Sequence, residues 1–341
     1  MMSPDPMVLE NYDLRKHNTM GLAARCRYFA AVRSIEELKF ILSEYGSNME
    51  ILILGGGSNI LFKSDYDGLI LNNQITGKDV VHEDDRHVHL KLGGGENWHQ
   101  SVRWAVARGW GGIENLSLIP GSVGAAPIQN IGAYGVELEE VFVELEALEI
   151  STGKLRTFSK DECNFGYRDS LFKREEKGRY FIVSVTLRLD KDPEINLSYK
   201  ALKDHLENYG ISDPDIKDIS EAVIQIRSSK LPDPTEIGNT GSFFKNPVIS
   251  EKEFGVLKEQ YPDIPSYNTD TGIKVPAAWL IEKAGWKGKR FGDAGVHKKQ
   301  ALVLVNYGNA TGDEIWDLAL RIQSSVQQKF SIQLQPEVNV I

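Results

Sequence analysis

The chain predicts a mixed helix-and-strand protein of two or three domains. Three observations carry that expectation. Helical and extended patterns alternate along its 341 residues, glycine-rich turns follow apolar runs, and the composition shifts at Lys230-Leu231-Pro232-Asp233-Pro234. A length of this order supports more than one buried core.

Taken in order, Tyr28 to Val32 reads as a strand. Ser34 with Glu37 makes a capping box for a helix whose stripe is Leu38, Ile41 and Leu42, stopped at Gly46. The apolar run Ile51 to Leu54 is a strand that enters Gly55-Gly56-Gly57-Ser58-Asn59, and Ile60 to Phe62 then completes a compact βαβ-like unit. Val88 to Leu92 is a further strand, followed by Gly93-Gly94-Gly95 and a helix begun by Asn97 and Gln100. That helix has the stripe Trp98, Val102, Ala105 and Val106, and Gly109 ends it. Val141 to Ile150 and Leu155 to Phe158 form a hairpin, and Ser159 with Glu162 caps a short turn. Tyr180 to Leu189 is a β-branched strand, while Ser198 to Tyr209 and Glu221 to Ser229 are helical. Beyond the boundary, a polar stretch runs to Gly272. Ala277 to Ala284 is a helix, Ala301 to Val305 a strand, and Thr311 with Glu314 caps the last helix, with core stripe Ile315, Leu318, Ala319, Ile322 and Val326. A final strand holds Gln335-Pro336-Glu337-Val338.

The segment from Gly112 to Glu137 organises the rest. It is rich in glycine, contains two prolines, and carries charge only at Glu114 and Glu137. Such a ribbon is too irregular for a helix and too uncharged for a solvated loop; it either packs as a long loop or lies against a flat or polyanionic ligand. The glycine turn at 55–59 lacks the third glycine and following helix of a dinucleotide fingerprint, which excludes that motif. A tight strand turn is one reading of it; the other is a nest of successive amides able to hold phosphate, helped by Ser58 and Asn59.

The net charge of -9, with 48 acidic against 39 basic residues, excludes a general polyanion-binding surface and makes nucleic acid an unexpected partner. No apolar stretch reaches membrane-helix length, and the start MMSPDPMVLE lacks an export signal, so a cytoplasmic protein without membrane attachment is expected. Two cysteines, Cys26 and Cys163, make no disulfide framework, and the seven histidines show no zinc-binding spacing; no metal is expected. His87 and His89 share one face of a strand and are read as solvent-facing.

Three isolated polar residues stand among apolar or turn-forming neighbours: Arg168, Ser242 and Glu337. An arginine can hold a carboxylate through two parallel hydrogen bonds, a serine can give up a proton in a dry site, and a glutamate can relay one. Taken singly they read equally as a surface ion pair, a turn cap and a solvated strand end.

Six motifs taken together resemble the UDP-N-acetylenolpyruvoylglucosamine reductase family. They are GGGSNILF at Gly55 to Phe62, IPGSVGAAPIQNIGAYG in the ribbon, YRDSLFK at Tyr167 to Lys173, KLPDP at Lys230 to Pro234, GSFFKNP at Gly241 to Pro247, and PEV at Pro336 to Val338. They cover nearly the whole chain. The resemblance implies an α+β architecture, namely a two-lobed FAD-binding fold of the vanillyl-alcohol-oxidase type with a C-terminal α+β substrate domain. Lobe 1 would span 1–75 joined by the strand 331–341, lobe 2 would span 76–230, and the substrate domain 231–330.

By the same resemblance the activity is NADPH-dependent reduction of the enolpyruvyl group of UDP-N-acetylglucosamine enolpyruvate, in peptidoglycan synthesis and hence cell shape and division. The cofactor is non-covalent FAD, the enzyme is a monomer, and NADPH and the sugar nucleotide are its partners. The implied catalytic residues are Arg168, Ser242 and Glu337. The implied cofactor residues are Gly55, Gly56, Gly57, Ser58, Asn59, Ile119, Pro120, Gly121, Ser122, Gln129, Asn130, Gly132, Tyr134 and Arg227. Tyr167, Tyr199, Lys230, Asn246, Tyr267 and Gln300 would meet the substrate, with Tyr199 placing the chain in the longer subclass whose tyrosine loop covers it. Tyr261 to Gly272 departs from the family pattern, which bears on Tyr267. Two alternatives differ in class: another FAD oxidoreductase acting on a hydroxy acid or alcohol, and a nucleotide-binding module without chemistry. The first often attaches flavin to a histidine in the first glycine loop, where 55–59 has none; intact Ser242, Arg168 and Glu337 argue against the second.

Overall fold

The computed structural model describes residues 7–46 and 49–341. The opening six residues, part of the segment read as lacking an export signal, lie outside the described residues. The described chain divides into two compact units. The first holds residues 7–12, 26–56 and 67–229; the second holds 13–25, 57–66 and 230–341.

In the first unit, strands β1 (Val8–Asp13), β2 (Arg25–Val32), β3 (Ile51–Leu54) and β4 (Tyr66–Asn73) make a sheet in the order β1-β2-β4-β3. Helix α1 (Ile35–Tyr45) connects β2 to β3. Ser34 accepts the Glu37 N–H at 3.1 Å as expected, while the Glu37 carboxylate takes the Arg33 N–H instead of closing the box on Ser34. Leu38 and Ile41 are fully buried, whereas Leu42 is only half-buried. β3 and β4 pair in parallel, Ile51 opposite Leu69. The expected βαβ-like unit therefore closes on β4, a strand not read from the sequence; the two-residue strand Ile60–Leu61 pairs elsewhere, in parallel with Asn339–Val340 of the second unit.

A second, antiparallel sheet of the first unit contains β5 (Lys78–Glu83), β6 (His87–Gly93), β7 (Phe142–Glu149), β8 (Leu155–Ser159) and β9 (Tyr180–Asp190), in the order β8-β7-β9-β6-β5. Helix α2 (Trp98–Val106), with Asn97 accepting the Gln100 N–H, buries the four stripe residues anticipated for it. Ser159 and Glu162 close a full capping box on α3 (Lys160–Cys163). Leu148, Phe181 and Val183 of this sheet pack with Leu38, Ile41, Leu69 and Leu71, so the two sheets share a core. Helices α4 (Lys200–Asn208) and α5 (Ile216–Lys230) pack on each other through Leu202, Leu206, Ile219 and Val223. On β6, His87 and His89 share a face, but neither is solvent-facing as expected: both are half-buried, His87 beside Asp84 and Asp190, at 3.4 and 3.3 Å.

The second unit is built on β10 (Gly238–Ser242), β11 (Arg290–Phe291), β12 (Ala294–Val296) and β13 (Val303–Asn306), ordered β10-β13-β12-β11. Helices α7 (Ala277–Lys283) and α8 (Gly312–Phe330) cover it, α8 capped by Thr311 and Glu314 with its whole expected stripe buried. The polar stretch to Gly272 is corrected: Ser250 and Glu253 form a capping box that starts α6 (Glu251–Gln260), and a small three-stranded sheet follows it. No helix among the described residues is long and apolar enough to cross a membrane.

Candidate active site

In the first unit the ribbon is a chain of single helical turns at Glu114–Leu116, Val123–Ala125 and Pro127–Gln129, joined by residues in unusual backbone conformations. Leu118, Asn130, Tyr134 and, outside the ribbon, Arg168 all have positive φ without being glycine. Such residues persist only where surrounding structure holds them, and they cluster at functional sites. Helix α2 holds the ribbon's first half. The Trp98 Nε1–H donates to the Leu116 carbonyl at 3.0 Å, the Trp98 N–H to the Gly121 carbonyl at 3.0 Å, and the Leu118 N–H to His99 Nδ1 at 2.9 Å.

Gly55 and Gly56 lie against the same stretch. A Cβ on Gly55 would come within 2.3 Å of Ser122 Oγ, and one on Gly56 within 3.0 Å of the Gly121 Cα. Asn72, a residue the sequence did not single out, donates to the Leu54 and Gly55 carbonyls at 3.1 Å and sets the start of this turn. The Ser122 hydroxyl is buried without a hydrogen-bond partner, as is the Nε of Arg227 on α5. Burial in the first place holds the Arg227 guanidinium below its ordinary value.

Asn130, fully buried, ties the second half together. Its Nδ2 donates to Glu137 at 2.9 Å, Glu139 at 3.1 Å and the Gly166 carbonyl at 3.2 Å, while its Oδ1 accepts the Glu139 N–H. Arg168 donates to the carbonyls of Asn130, at 3.3 Å, and Gly132, and lies 3.5 Å from Glu137. Its guanidinium carbon stands 5.4 Å from the ring centre of half-exposed Tyr167. A Cβ on Gly132 would come within 2.6 Å of the Arg168 guanidinium and so would displace it from its seat. Tyr134 packs edge-on to Tyr199 with ring centres 5.1 Å apart, and burial, ahead of the opposing pull of Arg227, raises its phenol above the usual range. Asn115 bonds the Tyr134 and Asn196 carbonyls and so joins ribbon and tyrosine loop. Gln129, Ile119 and Pro120 lie at or near the surface of this unit.

Glu114 is a buried carboxylate outside the expected set. It accepts the Gly112 N–H at 2.6 Å, and desolvation raises its pKa despite that bond. A raised folded pKa means the ionised form opposes folding at high pH, and that effect disappears as the group protonates on acidification. Glu114→Gln keeps an acceptor for Gly112 and removes the charge. Urea unfolding is therefore expected to show the variant at least as stable as the parent at pH 8, with its relative advantage shrinking toward pH 5.

In the second unit, Gly57, Ser58 and Asn59 lead into Ile60–Leu61. Gly57 has φ 64°, and a Cβ there would fall 2.0 Å from the His17 carbonyl oxygen. Gly57→Ala combines left-handed strain with a backbone clash and is expected to destabilise by about 3 kcal/mol, read as a lower denaturation midpoint. Ser242 ends β10 after Gly241, φ 70°, and a bulge; it pairs with Val303. The Glu337 N–H donates to the Phe243 carbonyl at 2.8 Å, the Lys245 N–H to the Gln335 carbonyl at 2.9 Å, and Asn59 Nδ2 to the Glu337 carbonyl at 3.3 Å. Ser242, Glu337, Ser58 and Asn59 are thus brought into one neighbourhood although far apart in sequence. The Oδ1 of Asn246 caps α7 through the Ala277 N–H at 2.9 Å, leaving its NH2 as the group able to donate to a ligand. Gln300 turns the chain between β12 and β13, Tyr267 is exposed on the small sheet, and Lys230 is exposed at the end of α5.

With this geometry in hand, comparisons with known proteins decide the family. Residues 26–159 match the FAD binding domain model, and 233–341 match the UDP-N-acetylenolpyruvoylglucosamine reductase C-terminal domain model. The UDP-N-acetylenolpyruvoylglucosamine reductase of Flavobacterium johnsoniae is 50% identical over 336 residues, 98% of this chain and 99% of that one. The chain belongs to the UDP-N-acetylenolpyruvoylglucosamine reductase family. A second reductase of this name, from Amoebophilus asiaticus, is 51% identical across 97% of this chain and 98% of its own. The Thermus caldophilus reductase structure shares the fold with a TM-score of 0.69 at 22% identity, each chain 98% covered. An oxidase of 6-hydroxy-D-nicotine from Arthrobacter nicotinovorans shares it more loosely, TM-score 0.51 at 12% identity, over 96% of this chain and 86% of that one. The reductase fold here is accordingly the α+β FAD-binding type of the vanillyl-alcohol oxidases with the family's own C-terminal part.

Proposed function

We infer that the protein is the FAD-dependent, NADPH-oxidising enzyme that reduces the enolpyruvyl group of UDP-N-acetylglucosamine enolpyruvate to the lactyl ether of UDP-N-acetylmuramate, a step of peptidoglycan precursor synthesis. It acts in the cytoplasm as a monomer. The three-part division made from the sequence is kept as a proposal, with 231–330 as the substrate domain.

The residues of the glycine turn and ribbon fit FAD. Ser122 Oγ, against which Gly55 packs, and Arg227 Nε are buried polar atoms without partners, and the glycines at 55 and 56 let the turn approach 121–122 without side chains of its own. Gly55 to Asn59, Ile119 to Ser122, Gln129, Asn130, Gly132, Tyr134 and Arg227 would hold the cofactor. Bound FAD would supply the two-electron hydride chemistry between NADPH and C3 of the enolpyruvyl group.

Addition at C3 leaves negative charge spread over C2 and the carboxylate, and a proton must reach C2. Ser242 donates that proton. Arg168, a fixed cation among carbonyls, stabilises the developing enolate, and Glu337 helps the proton move. A serine hydroxyl is a weak acid, so the step depends on preorganised charge, typically worth several kcal/mol at a developing oxyanion. Tyr199 folds over the substrate, while Tyr167, Lys230, Asn246, Tyr267 and Gln300 bind its sugar and nucleotide portions. The observation that supports this most directly is the hydrogen bonding of 243–245 to 335–337, which draws Ser242 toward Glu337.

Anaerobic reduction with NADPH followed by mixing with the enolpyruvyl sugar nucleotide tests the reading. Flavin reoxidation that requires this substrate is expected. Flavin reduction by a simple alcohol or hydroxy acid in place of NADPH, with reoxidation by oxygen and none by the sugar nucleotide, would overturn the assignment in favour of an oxidase.

A further inference from the structure

Leu118 sits immediately before the ribbon's Ile119-to-Ser122 stretch with φ 58°, a conformation that costs a residue with a Cβ roughly 1–2 kcal/mol. Its N–H is taken by His99 Nδ1 at 2.9 Å. The neighbouring Trp98 grips the carbonyls on either side, at Leu116 and Gly121. Ser117 is held in turn by Ser220 of α5 at 2.8 Å, and Ser220 receives Arg103 at 3.2 Å. The first turn of α2 therefore clamps the bend from which the next four residues emerge.

Accepting at Nδ1 requires a lone pair there, so the His99 imidazole is neutral with its proton on Nε2. The charged groups around the ring agree. Burial is the largest influence and lowers its pKa; Arg103 on α2 and Arg227 on α5 push the same way, and Glu221 on α5, paired with Arg103 at 2.6 Å, opposes them.

We propose that His99 is a positioning residue for the cofactor: by accepting the Leu118 amide it holds the strained bend that offers the backbone of residues 119–122 to the FAD pyrophosphate. Protonation of the ring replaces the acceptor by a donor facing another donor and releases the bend. The inference rests on reading 119–122 as part of the cofactor cradle.

The test measures the FAD dissociation constant of apoprotein by flavin fluorescence from pH 5 to 8.5, with hydrogen-exchange protection of the Leu118 amide, in the parent, His99→Ala, His99→Asn and Gly121→Val. His99→Ala is expected to weaken FAD about tenfold at pH 7.5, the scale of one buried donor left unmet, and to lose Leu118 protection. His99→Asn offers Oδ1 close to the Nδ1 position and restores both. Parent affinity falls as the pH drops through the titration of the ring, and that of His99→Asn stays flat. Parent-like FAD affinity or Leu118 protection in His99→Ala overturns the inference. Gly121→Val, whose native φ of 116° a valine resists, checks the cradle. If it too binds FAD like the parent, the cradle reading falls along with the inference; if it loses FAD while His99→Ala does not, only the role of His99 falls.

Discussion

Ser242→Ala is expected to leave flavin reduction by NADPH at the parent rate and to slow reoxidation by the enolpyruvyl substrate by about 10³-fold, within the range of a lost general acid. The two half-reactions separate because only the second needs a proton delivered to carbon. The variant should fold normally. The local structure is held by backbone bonds, from the Phe243 N–H to the Leu302 carbonyl at 2.9 Å and from the Glu337 N–H to the Phe243 carbonyl at 2.8 Å, and alanine keeps both. Anaerobic stopped-flow mixing reads each half-reaction by flavin absorbance. Equal losses in both would assign Ser242 to binding and remove it from the chemistry.

Arg168→Lys is expected to slow the same oxidative half-reaction by about 10²-fold, the scale of one lost donor at a developing oxyanion, with a smaller change in FAD affinity. The guanidinium spans two ribbon carbonyls, Asn130 and Gly132, while facing Glu137. A lysine brings the same charge as a single compact ammonium on a flexible stem, so it cannot keep both carbonyls and still aim a planar donor at a carboxylate. Single-turnover reoxidation rates at saturating substrate make the comparison. A lysine variant that turns over like the parent would show that charge alone suffices and that the two-carbonyl seating is incidental.

The parts of the fold legible in the sequence are those whose physics is local. The boxes Ser159-Glu162 and Thr311-Glu314 start helices where expected because the partners lie three residues apart. Ser250-Glu253 follows the same rule inside a segment that looks like polar loop, and α6 was there to be read. Strand β4 has weaker signals, since its apolar run is only Leu69 to Leu71 and ends in Asn72 and Asn73, whose amides bond the distant carbonyls of Leu54, Gly55 and Ile182. The site divides the same way. Motif order pointed to the family and to Arg168, Ser242 and Glu337, but nothing in a one-dimensional string marks His99, Asn115 or Glu114 as the groups that hold the ribbon in shape.

By itself the sequence determined the starts of the capped helices it singled out, most of their buried stripes, the glycine-rich turns and the family, because each depends on residue type within a few positions. The tertiary structure decided which residues meet. Asn59 bonds Glu337 across 278 residues, and a left-handed Leu118 finds its acceptor on a helix nineteen residues earlier. Closing loops of such length is opposed by chain entropy, and many packed residues acting together, more than any one residue type, overcome it.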